Sequence, residues 1–192
     1  PEGDYGRLAQ AAFMAAAARA DIRVVAVETV QSPAYADAAA QRIANLGGQI
    51  DALFIPAQAE AMAGLSQALT RAGIDGARVQ ILGTGLWNDA RVLKIRALQG
   101  AWFAAPDNAG FNAFALSYRD MFRADPARVA TLAYDAVALG AALARQPQGE
   151  RFAPQVMQGE SGFNGTDGLF RFKADGLNER GLAVLMIDQA TT

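Results

Sequence analysis

Strand-like and helix-like stretches alternate along the first half of the chain. Asp4 to about Ala20 is a helix-forming run, with Asp4 as its N-cap and Leu8, Ala12 and Phe13 on one side. Ile22 to Glu28 (IRVVAVE) is a short β-branched apolar run, the mark of a strand buried on both faces. Ser32-Pro33 opens a second helix, whose apolar positions Tyr35, Ala39, Ile43 and Leu46 recur at spacings of three and four until Gly47-Gly48 stops it. Asp51 to Pro56 (DALFIP) predicts a strand. Ala59 to Ala72 predicts a helix with Met62, Leu65 and Leu69 inward and Gly73 as its stop, and Arg78 to Leu82 (RVQIL) a third strand. The connections are long enough for the crossovers that parallel strands require. The pattern predicts an α/β fold: a three-layer α/β/α arrangement with an open parallel sheet covered by helices on both faces.

After Trp87 the alternation changes. Asn88 to Leu98 predicts a helical turn or two, and Gly100 to Ala104 (GAWFA) a strand closed by Pro106. Two longer helices follow. Ala109 to Phe122 carries Phe111, Phe114, Tyr118 and Phe122 on one stripe; Pro126 to Arg145 carries Val129, Leu132, Ala136, Leu139 and Leu143. Leu169 to Phe172 and Gly181 to Asp188 predict two strands joined as an antiparallel hairpin. A lobe boundary is expected near residues 99–108, dividing a lobe of residues 1–103 from a second part, 104–192.

Composition narrows the chemistry. The 192 residues include 17 basic and 19 acidic side chains, a net charge of −2, which leaves no basic field for a nucleic-acid backbone. There is no Cys and no His, so disulfides, thiolate nucleophiles, imidazole bases and most zinc and iron sites are excluded. No apolar run is long enough to span a membrane. The start of the chain, Pro1-Glu2-Gly3-Asp4, enters a helical run almost at once and reads as a cut inside a larger protein.

Ligands of open α/β sheets bind at the carboxyl ends of the strands, near helix N-termini. The residues expected there are Gln31, Ser32 and Tyr35 after the first strand, Gln58 and Glu60 after the second, Thr84 and Trp87 after the third, and Asp107 after the fourth. Each also has an ordinary reading as an N-cap or turn former, and Trp87 as cover for the lobe junction. Gly83-Thr84-Gly85 invites a dinucleotide reading, but the third glycine of G-x-G-x-x-G would fall at Asn88. Neither lysine, Lys94 or Lys173, follows a glycine, so there is no phosphate-binding P-loop. Ser161 lacks the G-x-S-x-G spacing and any His base. Asp167 and Asp175 read as solvated turn caps. Asp135, inside an apolar stripe, requires buried partners and reads as a structural link to N–H groups of a neighbouring helix. No catalytic constellation, cofactor or metal is expected.

Several stretches, taken in order, carry a resemblance. They are Tyr5-Gly6, the three αβ units, Ile81 to Trp87 (ILGTGLW), Gly100 to Asp107 (GAWFAAPD), Leu132 to Leu139 (LAYDAVAL) and Gly162 to Phe172 (GFNGTDGLFRF). The chain resembles the second half of a type I periplasmic binding protein of the leucine-binding kind. The LGTGLW and GFxGxDGLFRF stretches are similar to those of penicillin-binding-protein activator lipoproteins. The resemblance implies two Rossmann-like lobes that clamp a ligand by hinge closure, with residues 1 to about 103 as most of the second lobe and the remainder returning to an incomplete first lobe. Amino-acid binders of this kind place an aromatic residue and an acid where Ala57 and Gly85 stand here. A ligand's ammonium group would lose its partner, and Glu60 and Asp107 are the only rim acids to replace it. The expectation is a non-enzymatic, periplasmic, activator-like envelope domain, lipid-anchored as in that family, whose partner is a peptidoglycan synthase. The alternative is the substrate-binding component of a branched-chain amino acid-type ABC importer for a small polar or aromatic solute. A missing first lobe also predicts an exposed apolar patch and a homodimer that covers it.

Overall fold

The computed structural model describes residues 1–188. They form two compact units, residues 1–105 together with the strand from Val184 onward, and Pro106–Ala183.

In the first unit, helix α1 (Asp4–Arg19) begins one residue earlier than its sequence suggests. Gly3 occupies the cap with φ 111°, and Asp4 is the first helical residue, paired with Arg7 rather than capping the helix. The expected strand at Ile22–Glu28 does not form. A strand needs a hydrogen-bonded neighbour, and this segment bonds backbone to backbone only near its ends: the Ile22 N–H donates to Ala17 O, and Val30 O accepts from the Glu2 N–H. Ile22, Val25 and Val27 are exposed. A 3₁₀ turn at Pro33–Tyr35 then leads into α2 (Ala36–Ala44), which buries Ala36, Ala39, Ala40 and Ile43 but leaves Tyr35 outside.

Strand β1 (Ala52–Phe54), helix α3 (Ala59–Arg71), strand β2 (Gln80–Gly83), the single turn α4 (Ala90–Leu93) and strand β3 (Trp102–Ala105) follow the sequence reading closely. β1 pairs with β2 in parallel, Leu53 opposite Ile81, and β2 with β3 in parallel, Leu82 opposite Trp102. Gly73, at φ 76°, ends α3 with a left-handed residue that side chains disfavour. The core gathers where α3, α4 and the sheet meet, around Met62, Trp87, Val92 and Leu98, all at 0% exposure.

The second unit contains α5 (Asn108–Phe122), α6 (Ala130–Leu143), the turn α7 (Pro154–Met157) and the strands β4 (Phe163–Gly165), β5 (Gly168–Phe172) and β6 (Asn178–Arg180). The aromatic stripe of α5 is real: Phe111, Phe114, Tyr118 and Phe122 follow one another at ring separations of 6.4, 5.8 and 4.6 Å. β5 pairs antiparallel with both β4 and β6. The expected hairpin between Leu169–Phe172 and Gly181–Asp188 is therefore not made. The tight turn at Ala174-Asp175-Gly176, with Asp175 Oδ1 accepting the Leu177 N–H at 2.9 Å and Gly176 at φ 80°, brings residues 178–180 onto the edge of β5 first. That leaves β7 (Ala183–Met186) to join the other sheet beside β3, in the order β1-β2-β3-β7. There Gly100 N–H donates to Ile187 O, and Ile187 N–H to Ala101 O, both at 2.8 Å. The end of β7 thus meets the start of β3, an antiparallel addition to a parallel sheet.

Helix α6 is rotated from its expected orientation over its first turns. Val129 (preceding the helix), Leu132 and Ala136 are exposed while Thr131 and Asp135 are buried, and of the expected stripe only the end turns inward, with Leu139 half-buried and Leu143 buried. The reason lies in the β4–β5 turn. Asp135 Oδ1 accepts the Thr166 N–H at 2.7 Å, so the carboxylate serves a hairpin turn and not a neighbouring helix. Asp167 is no solvated cap: at 3% exposure it accepts from the Thr131 hydroxyl at 2.5 Å and from Arg128 Nη1 at 2.9 Å. The turn fits against the helices without room to spare. A Cβ at Gly110 would fall 1.8 Å from Thr166 O, and one at Gly165 would fall 2.4 Å from Asp135 Oδ2.

This network has a pH signature. Burial pushes the Asp167 carboxyl up, but hydrogen bonds from Arg128 and Thr131 and the Arg128 charge outweigh it and hold the group below its ordinary value. A depressed carboxylate contributes stability above its unfolded pKa, about 3.9, and that stability is lost as pH falls through the folded value. Acid melts followed by circular dichroism are expected to show the second unit weakening below about pH 4, and Asp167→Asn to flatten that dependence.

Candidate functional site

The candidate site is the carboxyl edge of the parallel strands in the first unit. β1 and β2 end side by side, since the Ile55 N–H still donates to Leu82 O at 2.8 Å. The chain then turns into α3 through Gln58 and into a 3₁₀ turn at Gly85–Trp87 through Thr84. Gln58 is the N-cap of α3 but makes no side-chain bond to the helix, and it is exposed. Thr84 is half-buried, and its hydroxyl lies 2.9 Å from the Tyr5 hydroxyl. That bond ties the first turn of α1 to the end of β2, a partner that sequence reading missed. The neighbouring Glu2 N–H holds Val30 O at 3.0 Å, which keeps Gln31 and Ser32 near the start of α1. Gln31 is exposed, Ser32 half-buried, and Tyr35 exposed in the following 3₁₀ turn.

Two of the expected residues are committed elsewhere. Trp87 is core, with its ring seated on Gly83: a Cβ there would lie 2.1 Å from it. An indole that size excludes water from the sheet and cannot face a ligand. Asp107 belongs to the other unit, where its carboxylate caps α5 by accepting the Ala109 N–H at 2.7 Å. Glu60 is on the rim and exposed, but it is paired with Arg91 at 2.8 Å. Arg91 also holds Asp89 at 2.7 Å. That guanidinium, with the Arg91 backbone N–H, lowers Asp89 to about 2. Glu60 is lowered too, first by its own backbone N–H and then by Arg91. Both carboxylates are therefore charged at neutral pH, and Glu60 can meet a ligand cation only by competing with Arg91. Exposed pairs of this kind are screened by water and add little to stability, so Glu60→Gln should shift the melting temperature of the protein by no more than a few degrees.

The positions that the resemblance makes diagnostic are plain. Ala57 is buried at 0% exposure and offers no side chain to the edge, and Gly85 presents only backbone. The edge is thus neutral and polar, built from Gln58, Thr84, Tyr5 and Ser32. It contains donors and acceptors but no nucleophile with a base. Among the described residues no group of three His, Cys, Asp or Glu side chains could hold a metal ion, and no helix is long and apolar enough to cross a membrane.

Likeness to solved structures gives the class by fold: the chain has the fold of a type I periplasmic binding protein of the leucine-binding kind. The likeness is to the branched-chain amino acid transporter substrate-binding protein LivJ from Streptococcus pneumoniae, solved in complex with isoleucine, at 21% identity and a TM-score of 0.53 over 87% of this chain. The chain spans 47% of that protein's length. A second solved structure is the solute-binding protein of an ABC transporter from Rhodopseudomonas palustris BisB5 in complex with 3,4-dihydroxybenzoic acid. There the identity is 18% and the TM-score 0.49, over 79% of this chain and 44% of that one. No family model and no curated protein matches the sequence.

Proposed function

We propose that this chain is the ligand-recognising part of an extracytoplasmic solute-binding protein that serves an ABC-type importer, and that it binds its solute without transforming it. The observation that carries the reading is the extended fold likeness to LivJ, which takes in 87% of the chain. The carboxyl edge supports it, with hydrogen-bonding groups where β1 and β2 end and on the Ser32 turn beside them, and no catalytic pair among them. Its chemistry also selects among solutes. With Ala57 and Gly85 where an aromatic residue and an acid would hold an α-amino acid, and with Glu60 engaged by Arg91, the edge suits a neutral or anionic polar or aromatic solute better than a zwitterion.

The activator reading has less to stand on. The stretches that suggested it serve the fold: Gly83 makes room for Trp87, and Gly165, Asp167 and Gly168 build the β4–β5 turn. Such residues say nothing about a protein partner. A thermal-shift screen tests the reading, because a ligand that binds only the folded state stabilises it by about 2.7 kcal/mol at a hundred times its dissociation constant. A shift is expected with at least one aromatic or hydroxy acid and a smaller one, or none, with isoleucine. A flat response to every solute, with capture of a peptidoglycan synthase, would reverse the choice.

A further inference from the structure

We propose that the Asn164–Gly165 bond is a site of spontaneous deamidation, held inactive while the β4–β5 turn is closed, and that the product stops the turn from closing again. Of the six asparagines in the chain, Asn164 alone is followed by glycine. Glycine has no Cβ to shield its own nitrogen and turns freely about its backbone bonds, so an Asn-Gly bond rearranges more readily than other asparagine bonds. In the reaction the Gly165 backbone nitrogen gives its proton to solvent hydroxide and attacks Asn164 Cγ. The new Cγ–N bond closes a five-membered succinimide, the Cγ–Nδ2 bond breaks, and ammonia leaves. Water then opens the ring at either carbonyl and yields aspartate or isoaspartate, with no oxidant or reductant involved. Side chains along β4 alternate, and Asn164 is exposed between half-buried Phe163 and Gly165, so water and hydroxide reach its amide.

The closed hairpin withholds the nucleophile. Asn164 is paired with Leu169 and Gly165 with Gly168 in the antiparallel ladder. An extended backbone keeps the Gly165 nitrogen away from the preceding side chain, and ring closure needs rotation about the Asn164 Cα–C bond, which breaks this register. Beyond the strand, Asp135 Oδ1 anchors the turn by accepting the Thr166 N–H at 2.7 Å. Opening therefore costs both the ladder and that bond. The product meets the same tight fit. Isoaspartate runs the main chain through the former side chain and adds one backbone carbon just before Gly165. A Cβ at Gly165 would fall 2.4 Å from Asp135 Oδ2 and 2.9 Å from Phe170 Cε1, and one at Gly110 would fall 1.8 Å from Thr166 O, so residues 165 and 166 have no space to move into. A displaced turn leaves the Asp135 carboxylate, at 5% exposure, without its N–H donor. Deamidation thus makes opening of the β4–β5 turn irreversible, a covalent limit on the lifetime of the second unit.

The test incubates the whole chain in mildly alkaline buffer, folded and unfolded in urea, and follows every asparagine by peptide mass spectrometry. In urea Asn164 is expected to gain the mass of deamidation ahead of the other asparagines. In the folded chain it reacts at least about tenfold more slowly, because reaction waits for local opening. The mass gain separates it from isomerisation at the nearby Asp167-Gly168 and Asp175-Gly176 bonds, which leaves the mass unchanged. Asn164→Gln, a substitution at an exposed position, gives a second reading. Parent chains aged in urea lose the ability to refold in step with isoaspartate at position 164, and the variant keeps it. Equal rates at Asn164 in folded and unfolded chains would overturn the proposal, as would an Asn164 no faster than the other asparagines in urea. So would aged parent chains that carry the isoaspartate and still refold like fresh protein.

Discussion

Trp87→Ala is expected to destabilise the first unit by about 3–5 kcal/mol, the cost of emptying a fully buried aromatic site. The indole is at 0% exposure among Met62, Val92, Leu98 and Phe103, and it closes the sheet where β2 meets the following turn. Among the described residues its only polar side-chain atom, Nε1, has no partner, so the loss is one of packing with little hydrogen-bond contribution. The other tryptophan, Trp102, is 45% exposed and remains as a fluorescent reporter in urea titrations of the variant. Gly83→Ala approaches the same contact from the other side and should cost about 1–3 kcal/mol, because its methyl group would force the ring away. Should Trp87→Ala lose less than about 1 kcal/mol, the indole would be a surface group after all and open to a ligand.

Asp167→Ala comes next in size and acts on the second unit. Removing one partner of a buried ion pair costs about 3–5 kcal/mol, because the other charge is stranded. Arg128 retains 32% of its side-chain exposure and can recover some hydration, which puts the expected loss at the lower end. The guanidinium also lies 4.6 Å from the centre of the Phe111 ring, so its displacement would disturb α5 as well as α6. Replacing both partners with apolar residues, Arg128→Met with Asp167→Leu, should return much of the loss. Denaturation of the single and double variants checks this. A single variant as stable as the parent would mean that the pair is a surface contact.

Where spacing and stop signals agreed, the sequence was legible. α3 shows the reason: Met62, Leu65 and Leu69 recur at helical intervals, and Gly73 supplies a left-handed end that only glycine adopts easily. β2 and β3 were equally readable as short apolar runs. Helix α6 was not, because it is apolar nearly all round and its Ala, Leu and Val stripe carries no unique inner face. The informative signal was the exception to the stripe, Thr131 and Asp135 four residues apart on one face, with Arg128 one turn earlier. A polar row on an otherwise apolar helix marks the side that meets backbone donors. The strand β7 is legible as an apolar run but its partner is not, because the Asp175-Gly176 turn sets residues 178–180 on the edge of β5 that the longer hairpin would need. At the candidate edge, the end of each strand and its cap residue could be read. Burial could not, and so Trp87 looked like a rim aromatic. The spacing Gly83 to Trp87, a glycine placed to receive a ring from the turn that follows it, was the clue.

Recognition without reaction is most directly tested by incubating the purified protein with the solute that stabilises it best, separating the complex from free solute, and analysing what is released by mass spectrometry. One equivalent of solute bound per chain and recovered chemically unchanged is the predicted result. Release of an altered product, or no retained solute from any compound class tried, would contradict the account.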